Sequence, residues 1–430
     1  MSFRSLVKVF IPRQLFRKIE PWGHLGEAVL FNLINGFPAR KLNVIGITGT
    51  NGKSTTAFLV HRMMHQNGYK VGLMTTVGWG VGDDITPETA HMTNVAVPEL
   101  MRRIKRMKKE GMEWLVMETT SHALAQNRTW GLPYGIAMLT NITHDHRDYH
   151  GSFENYRQAK LKLFKMTDRN SRGLRAGVIN ADDPSASLFE AEINNPQTYG
   201  IDHGSLRAKN VKLSAAGSSY QVEVDGESYS IKCQLPGRFN VYNSLAAVGV
   251  GRLLDLKPEQ VEQGIAALES VAGRMNSIDA GQDFSVIIDY AHTPDALKNA
   301  LTALKEMAGQ GRVIAVFGAT GNRDKAKRPE MGRVAAELAD HIFLTDDETY
   351  DEESADIIKA VYTGIEEGGG EAKTDVIADR RAAIEAAFKF AKASDVVLLA
   401  GLGHQDHRVM KEGKLPWVEA DVTRQVIKSL

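Results

Sequence analysis

The apolar stretch NVIGIT, residues 43–48, runs into GTNGKST, and the lysine and hydroxyls that follow its glycines have the types and spacing of a phosphate site. A strand that enters a glycine-rich turn and then opens a helix offers backbone N–H groups and a positive helix end to an anion. Lys53 stands where it would neutralise the β- and γ-phosphates of a nucleoside triphosphate, and Ser54 where its hydroxyl would hold Mg²⁺. Gly49, Thr50, Asn51, Gly52 and Thr55 complete the loop. The strict pattern GxxxxGK[ST] asks for glycine where this chain has Ile47; its glycines fall at Gly46, Gly49 and Gly52 instead. A Lys-Ser pair directly after a strand still makes ATP or GTP binding the reading.

Kinases, switch GTPases, motors and ligases all use such a loop, so other residues must decide the chemistry. Glu118 ends the apolar run WLVME (114–118), the position at which a parallel sheet sets a magnesium-ligating carboxylate beside a nucleotide. A surface carboxylate is the plainer alternative. THDHRDYH (143–150) then gathers His144, Asp145, His146, Asp148 and His150. A metal or acid–base cluster and a solvated polar loop are both open, and spacing does not choose among the histidines.

The elements that must position these residues are those of an α/β protein. Strands are expected at 43–48, 114–118, 136–140 and 176–180, separated by helices at 52–66, 97–109 and 153–165, which argues for a mostly parallel sheet. Alternation with two turn signals between Ala208 and Leu235 reads as antiparallel hairpins appended to that sheet. A second series, with strands in SVIIDY, RVIAVFG, HIFLTD and DVVLLAG, follows the helical stretch 258–269 and reads as a Rossmann-like C-terminal domain. The expected division is a short amphipathic segment at 1–39, a central phosphate-loop domain at 40–270 and a C-terminal domain at 271–430.

Composition narrows the function classes. A length of 430 residues favours more than one core, and 43% apolar with 24% charged residues is ordinary for a globular protein. Basic and acidic side chains number 52 each, so no global field argues for nucleic acid, and no nucleic-acid partner is expected. The single cysteine, Cys233, excludes an internal disulfide framework and a multi-cysteine metal site. No stretch approaches the roughly 20 apolar residues of a spanning helix, and a cytoplasmic location is expected. Residues 1–20 mix Arg4, Lys8, Arg13, Arg17 and Lys18 with apolar residues and are interrupted at Pro12. Peripheral membrane or partner contact is one reading of this segment; a helix packed on its own protein is the plainer one.

Taken together, these motifs resemble the Mur ligase superfamily, most closely its MurE-type branch, UDP-N-acetylmuramoyl-tripeptide synthetase. The resemblance runs from about residue 40 to the end. It is carried in order by GITGTNGKST, ETTSHALAQNR (118–128), LTNITHDHRDYHGSFENYRQAK (139–160), PGRFNVYN (236–243), AGRMN (272–276), IDYAHTPDAL (288–297) and GATGNRDKAKRP (318–329). It implies an ATP-dependent, ADP-forming ligase that phosphorylates a carboxylate of a cell-wall peptide precursor and joins the acyl phosphate to an amino acid. It further implies that Ser54 and Glu118 hold one Mg²⁺, that Glu118 and His146 hold a second, and that Lys160 is carbamylated and serves as an anion there. Asn240 would meet the adenine, Asp289 the ribose and Arg274 the phosphates. Ser121 and Arg128 fall in the substrate segment. Alone, Lys160 reads as a helix-surface lysine.

Two departures bear on the substrate. Only about 40 residues precede the loop, too few for the domain that grips a UDP group, so uridine recognition in its usual form is not expected. Diaminopimelate-adding members carry Asp-Asn-Pro-Arg where this chain has Asp347, Glu348, Thr349 and Tyr350, and GLGHQDH (401–407) departs from GKGHE around His404 and Gln405. Diaminopimelate is therefore disfavoured. The acidic run around Asp347 suits a cationic side chain such as lysine or ornithine, with a solvated face as the plainer reading. The alternatives are the same chemistry on a folylpolyglutamate- or cyanophycin-type acceptor, or a catalytically silent ATP-binding scaffold.

Overall fold

A computed structural model describes residues 13–88, 93–143, 145–214 and 216–430. His144 of the THDHRDYH stretch and residues 1–12 of the basic amphipathic segment lie outside these. By its contacts the chain divides into one unit of Met1–Ile142, Glu154–Arg207 and Leu245–Gly264, and another of Thr143–Phe153, Ala208–Ser244 and Ile265–Leu430.

The first unit is built on nine strands. In chain order they are β1 (Asn43–Thr48), β2 (Val71–Met74), β3 (Gly78–Val81), β4 (Asp84–Pro87), β5 (Trp114–Glu118), β6 (Tyr134–Leu139), β7 (Ala176–Asn180), β8 (Asn195–Gly200) and β9 (Leu206–Arg207). Their order across the sheet is β4-β3-β2-β5-β1-β6-β7-β8-β9, antiparallel only where β3 pairs with β2 and β4. The interior strands β2, β6 and β7 are buried at every position, the pattern of strands covered on both faces. Chain crossovers leave β1 toward both sides, so the loops after β1, β5 and β6 meet at one carboxyl edge, where open α/β sheets bind ligands.

Helix Arg13–Ile34 runs through Pro21 rather than stopping at a proline. Pro21 cannot return a hydrogen bond to the turn before it. Its carbonyl is used, accepting from Asn127 Nδ2 at 3.1 Å.

In the second unit β10 (Lys209–Ser214), β11 (Gly217–Val224) and β12 (Glu227–Cys233) form an antiparallel sheet of their own. The hairpins expected to be appended to the first sheet therefore share no strand pairing with it. A six-stranded sheet follows, from β13 (Asn276–Ile278), β14 (Ser285–Asp289), β15 (Val313–Phe317), β16 (His341–Leu344), β17 (Thr374–Val376) and β18 (Val396–Ala400), in the order β13-β14-β18-β15-β16-β17. All of its pairs are parallel except β13 with β14.

Strand alternation builds two cores on this sheet. Val313, Ala315 and Phe317 face the layer of helices Pro294–Ala308, Lys327–Leu338 and Ser354–Glu367, while Ile314 and Val316 face helices Arg380–Phe390 and Glu419–Ser429. A final hairpin pairs β19 (His407–Met410) with β20 (Gly413–Pro416).

Candidate active site

In the first unit the phosphate loop is fixed from below by the neighbouring strand ends. Thr50 N donates to Asn141 O at 2.7 Å and Asn51 N to Asn141 Oδ1 at 2.9 Å, while Thr140 Oγ1 returns a bond to Asn51 O at 2.7 Å. Gly49 has φ +148, and a Cβ there would fall 1.9 Å from Thr140 Oγ1. Gly52 has φ +83 and opens helix Lys53–Gln66. These two glycines are therefore demanded by backbone shape, and the turn they make delivers the chain into a helix N-terminus, a setting that suits a phosphate chain.

Three charged side chains surround this loop. Lys53 Nζ donates to Thr50 O at 2.7 Å. Lys160, on helix Phe153–Asp168, is 1% exposed; its Nζ donates to Gly49 O at 2.5 Å and lies 4.4 Å from the centre of the Tyr156 ring. Tyr156 in turn shares a 3.0 Å hydrogen bond with Thr50 Oγ1. The helix-surface reading of Lys160 is thereby corrected: a turn of this helix is stitched to the phosphate loop, and the lysine points into the protein. Glu118 is 1% exposed and pairs in register with Ile47, two residues before Gly49. Its carboxylate accepts from Thr76 N and Thr76 Oγ1, each at 3.0 Å, which orients both oxygens.

Ser54 and Thr55 are buried in the first turn of their helix. Among the described residues no three His, Cys, Asp or Glu side chains gather into a metal cage. The donor set is instead a hydroxyl and one carboxylate, hard oxygens of the kind that hold Mg²⁺ together with water and phosphate, so these residues fit nucleotide and metal.

Ser121 begins the short helix Ser121–Ala125 and is buried. Arg128 is also buried, its guanidinium donating to Asn94 O, and Asn94 Nδ2 donates to Glu118 O at 2.7 Å. Arg128 thus braces the segment that holds the back of Glu118.

In the second unit, four strand ends bring distant motifs into one cluster. β14 ends at Asp289, paired with Ala400 at the end of β18, and Phe317 of β15 pairs with Leu344 of β16. The loops that follow carry Tyr290 and His292, Gly401 to Gln405, and Thr345 to Tyr350. The AGRMN turn folds onto them: Tyr290 N donates to Gly273 O at 2.9 Å, and Met275 N donates to Asp289 Oδ2 at 2.8 Å. The Arg274 guanidinium lies 4.9 Å from the centre of the Tyr290 ring, and His404 packs on that ring at 5.3 Å.

Electrostatics in this cluster follow from burial. Desolvation raises the Asp289 carboxyl above the ordinary range, with Arg274 working against it. Tyr290 is pushed up to about 12 by burial. His292 is lowered to about 3, first by burial and then by the neighbouring Lys327 ammonium, which donates to His292 O at 2.9 Å. Asp347 and Glu348 are each 3% exposed. Burial raises Glu348, and the Asp347 charge adds to the effect. Glu348 Oε1 accepts from Val409 N at 3.0 Å and Oε2 from Gln405 Nε2 at 3.3 Å; Arg408 Nη2 donates to Asp347 O at 2.6 Å. Tyr350 has φ +49 and lies under the Arg323 guanidinium.

The same unit contains His146 and Asn240. His146, at φ +52, opens the turn Arg147–His150, and its Nε2 lies 3.3 Å from Asp145 Oδ2. Asn240 is buried; it donates to Pro236 O at 2.7 Å and accepts from Asn243 Nδ2 at 2.8 Å, so its amide shapes the PGRFN turn. Sequence reasoning passed over Thr76, Asn94, Tyr156, Asn141, Tyr290, His292 and Lys327. Tyr156, Tyr290 and His292 stand inside motifs already quoted, but nothing in their spacing says which strand end they reach.

Comparison with known proteins finds two family domains along the chain. The Mur ligase middle domain matches residues 47–251, and the Mur ligase, glutamate ligase domain matches residues 273–403. A UDP-N-acetylmuramoyl-L-alanyl-D-glutamate--2,6-diaminopimelate ligase of Caldanaerobacter subterraneus is 39% identical over 396 residues, covering 91% of this chain and 79% of that protein. A relative of the same name from Geobacillus thermodenitrificans is 36% identical over 414 residues, covering 95% and 84%. Among solved structures, one of a ligase with that name superposes with a TM-score of 0.64 at 28% identity, over 96% of this chain and 83% of that one. A folylpolyglutamate synthase of Mycobacterium tuberculosis reaches 0.73 at 16% identity, over 94% of both, a likeness of fold. With the phosphate loop inside one matched domain, Asp347 inside the other, and relatives more than a third identical along nine-tenths of its length, the chain belongs to the Mur ligase family.

Proposed function

We propose that this protein is an ATP-dependent, ADP-forming ligase that adds an amino acid to a carboxylate of a cell-wall peptide precursor. The observation that carries the reading is Lys160: a second lysine, 1% exposed and held on the carbonyl of Gly49, is more than a nucleotide-binding loop requires. The relatives' names, each a ligase of a UDP-N-acetylmuramoyl peptide, supply the substrate class. In the reaction a carboxylate oxygen attacks the γ-phosphorus and ADP leaves. The amine nitrogen then attacks the acyl carbon, phosphate leaves, and the amine gives up a proton as the amide forms.

Such chemistry needs positive charge around a transferring phosphoryl group rather than an activated nucleophile. Lys53 and the loop amides would hold the β- and γ-phosphates, and the family resemblance assigns Arg274 to phosphate as well. Ser54, Glu118 and His146 would hold Mg²⁺, which neutralises phosphate charge and orients the carboxylate. Carbamylation would turn Lys160 into an anion able to join them, and Asp289 and Asn240 would serve ribose and adenine. The domain division at 40–270 and 271–430 is supported by the two matched segments.

On the amine side the relatives are named for 2,6-diaminopimelate, whereas this chain presents Asp347, Glu348 and Tyr350. We infer a preference for a basic amino acid, whose ammonium would meet the buried Asp347 and Glu348 beside Gln405 and His404. Phosphate release should be greatest with lysine or ornithine. Equal or greater release with diaminopimelate would remove the preference while leaving the ligase reading intact. The ligase reading itself fails if ATP is bound but no acceptor and amine together produce ADP.

A further inference from the structure

From Ile19 to Ile34, helix Arg13–Ile34 has its polarity turned inside out. Between Ile19 and Ile34 every exposed position is a glycine, Gly23 or Gly26, or one of Ile19, Trp22, Leu30, Leu33 and Ile34. Trp22 is 72% exposed, Leu33 59% and Ile34 68%. At a helical period of 3.6 residues, positions 19, 22, 26, 30 and 33 fall on one stripe, and no polar side chain interrupts it. No other stretch of the described chain collects as many exposed large apolar side chains.

The opposite face is already committed. Ala28 and Asn32 are fully buried, and Asn32 Nδ2 donates to Ala28 O at 2.9 Å and to Trp130 O at 3.2 Å. The acids of the helix, Glu20 and Glu27, are half-buried and lie within 3.9 and 3.4 Å of His24. From Ile19 onward the helix is therefore anchored through Ala28 and Asn32 and presents Ile19, Trp22, Leu30, Leu33 and Ile34 outward, the reverse of an ordinary surface helix.

The second observation is charge. Residues 1–19 hold Arg4, Lys8, Arg13, Arg17 and Lys18 and no aspartate or glutamate, in a chain whose cations and anions number 52 each overall. An apolar helical stripe next to an acid-free cationic run is the combination that binds an anionic bilayer surface. Neither half suffices alone, and together their contributions add.

We propose that this helix docks on a membrane surface rich in anionic lipid, lying in the interface plane with Trp22, Leu30 and Leu33 among the lipid chains. A second copy of the chain is the less favourable occupant, because pairing two such helices adds another cationic run and no outward acid to meet it. Anchoring of this kind would place the protein at the bilayer without requiring a spanning segment; among the described residues no helix is long and apolar enough to cross.

The test uses the full chain and sedimented vesicles of phosphatidylcholine, alone or mixed with phosphatidylglycerol. Binding is expected to the mixed vesicles, to weaken with added salt, and to fall on the order of tenfold in Leu30→Gln/Leu33→Gln and in Arg13→Gln/Arg17→Gln/Lys18→Gln. Trp22→Gln provides an independent variant, read against an unchanged melting curve. The proposal is overturned by absence of binding, by equal binding to both vesicles, by full binding of the leucine variant, or by a solution dimer that the leucine variant dissociates.

Discussion

Lys160 and Gly49 concentrate what is unusual at the residue scale. An ammonium that is 1% exposed and bonded to the carbonyl of a glycine at φ +148 is not a surface charge. If both lysines serve the transferring phosphoryl group, Lys53→Ala and Lys160→Ala should each lower turnover by about 10²-fold or more, while Lys160→Ala retains nucleotide binding. Steady-state ADP release and a binding titration separate the two, and normal turnover by Lys160→Ala would remove its role. Gly49→Ala should lose about 1–3 kcal/mol of stability from backbone strain alone, with a further loss from the collision with Thr140, measurable by denaturant unfolding. The loop and Lys53 were legible in the sequence because their pattern is local. Lys160 was legible only through family resemblance, since its distance from Gly49 is set by a helix 111 residues downstream.

At the scale of elements, strand periodicity was a reliable guide wherever a strand is buried on both faces: NVIGIT, WLVME and AGVIN fall where expected. Short edge strands such as β4, exposed and four residues long, carry no such signal, and neither does β17. The pairing of helix Arg380–Phe390 with Glu419–Ser429 was equally invisible. It is made by Arg380 and Glu419, both fully buried, with Arg380 also donating to Ala400 O at 2.9 Å. Arg380→Met would strand the Glu419 charge and should cost about 3–5 kcal/mol, whereas Arg380→Met/Glu419→Leu should recover most of it. Denaturant midpoints of the single and double variants decide this; equal loss in both would show that the ion pair is not the issue. Because Arg380 also reaches Asp346 O at 3.3 Å, the single variant should weaken amine-dependent turnover as well.

Across the whole molecule, burial of neutral histidines sets a pH dependence. His61, 5% exposed, is lowered from 6.5 to about 4, chiefly by burial and then by His65. The unfolded chain binds a proton there before the folded one does, so this contribution is complete above about pH 6.5 and is lost as pH falls toward 4. The full difference is about 3 kcal/mol, and His61→Gln should flatten the acid limb of the melting temperature against pH. An unchanged slope would mean that other groups govern it. Globally balanced charge gives no long-range attraction for a substrate, so on the proposed function recognition would fall to local groups such as those near Gly49 and those near Asp347. The central claim is that these groups make an amide. The most direct measurement is to incubate the full chain with ATP, Mg²⁺, a panel of acceptors including UDP-muramoyl dipeptide, and an amino-acid mixture, and then to weigh the products. The expected result is an acceptor heavier by one amino-acid residue, with ADP and phosphate formed in equal amounts and only when the amine is present; bound ATP with no heavier acceptor, or ADP release indifferent to the amine, would contradict it.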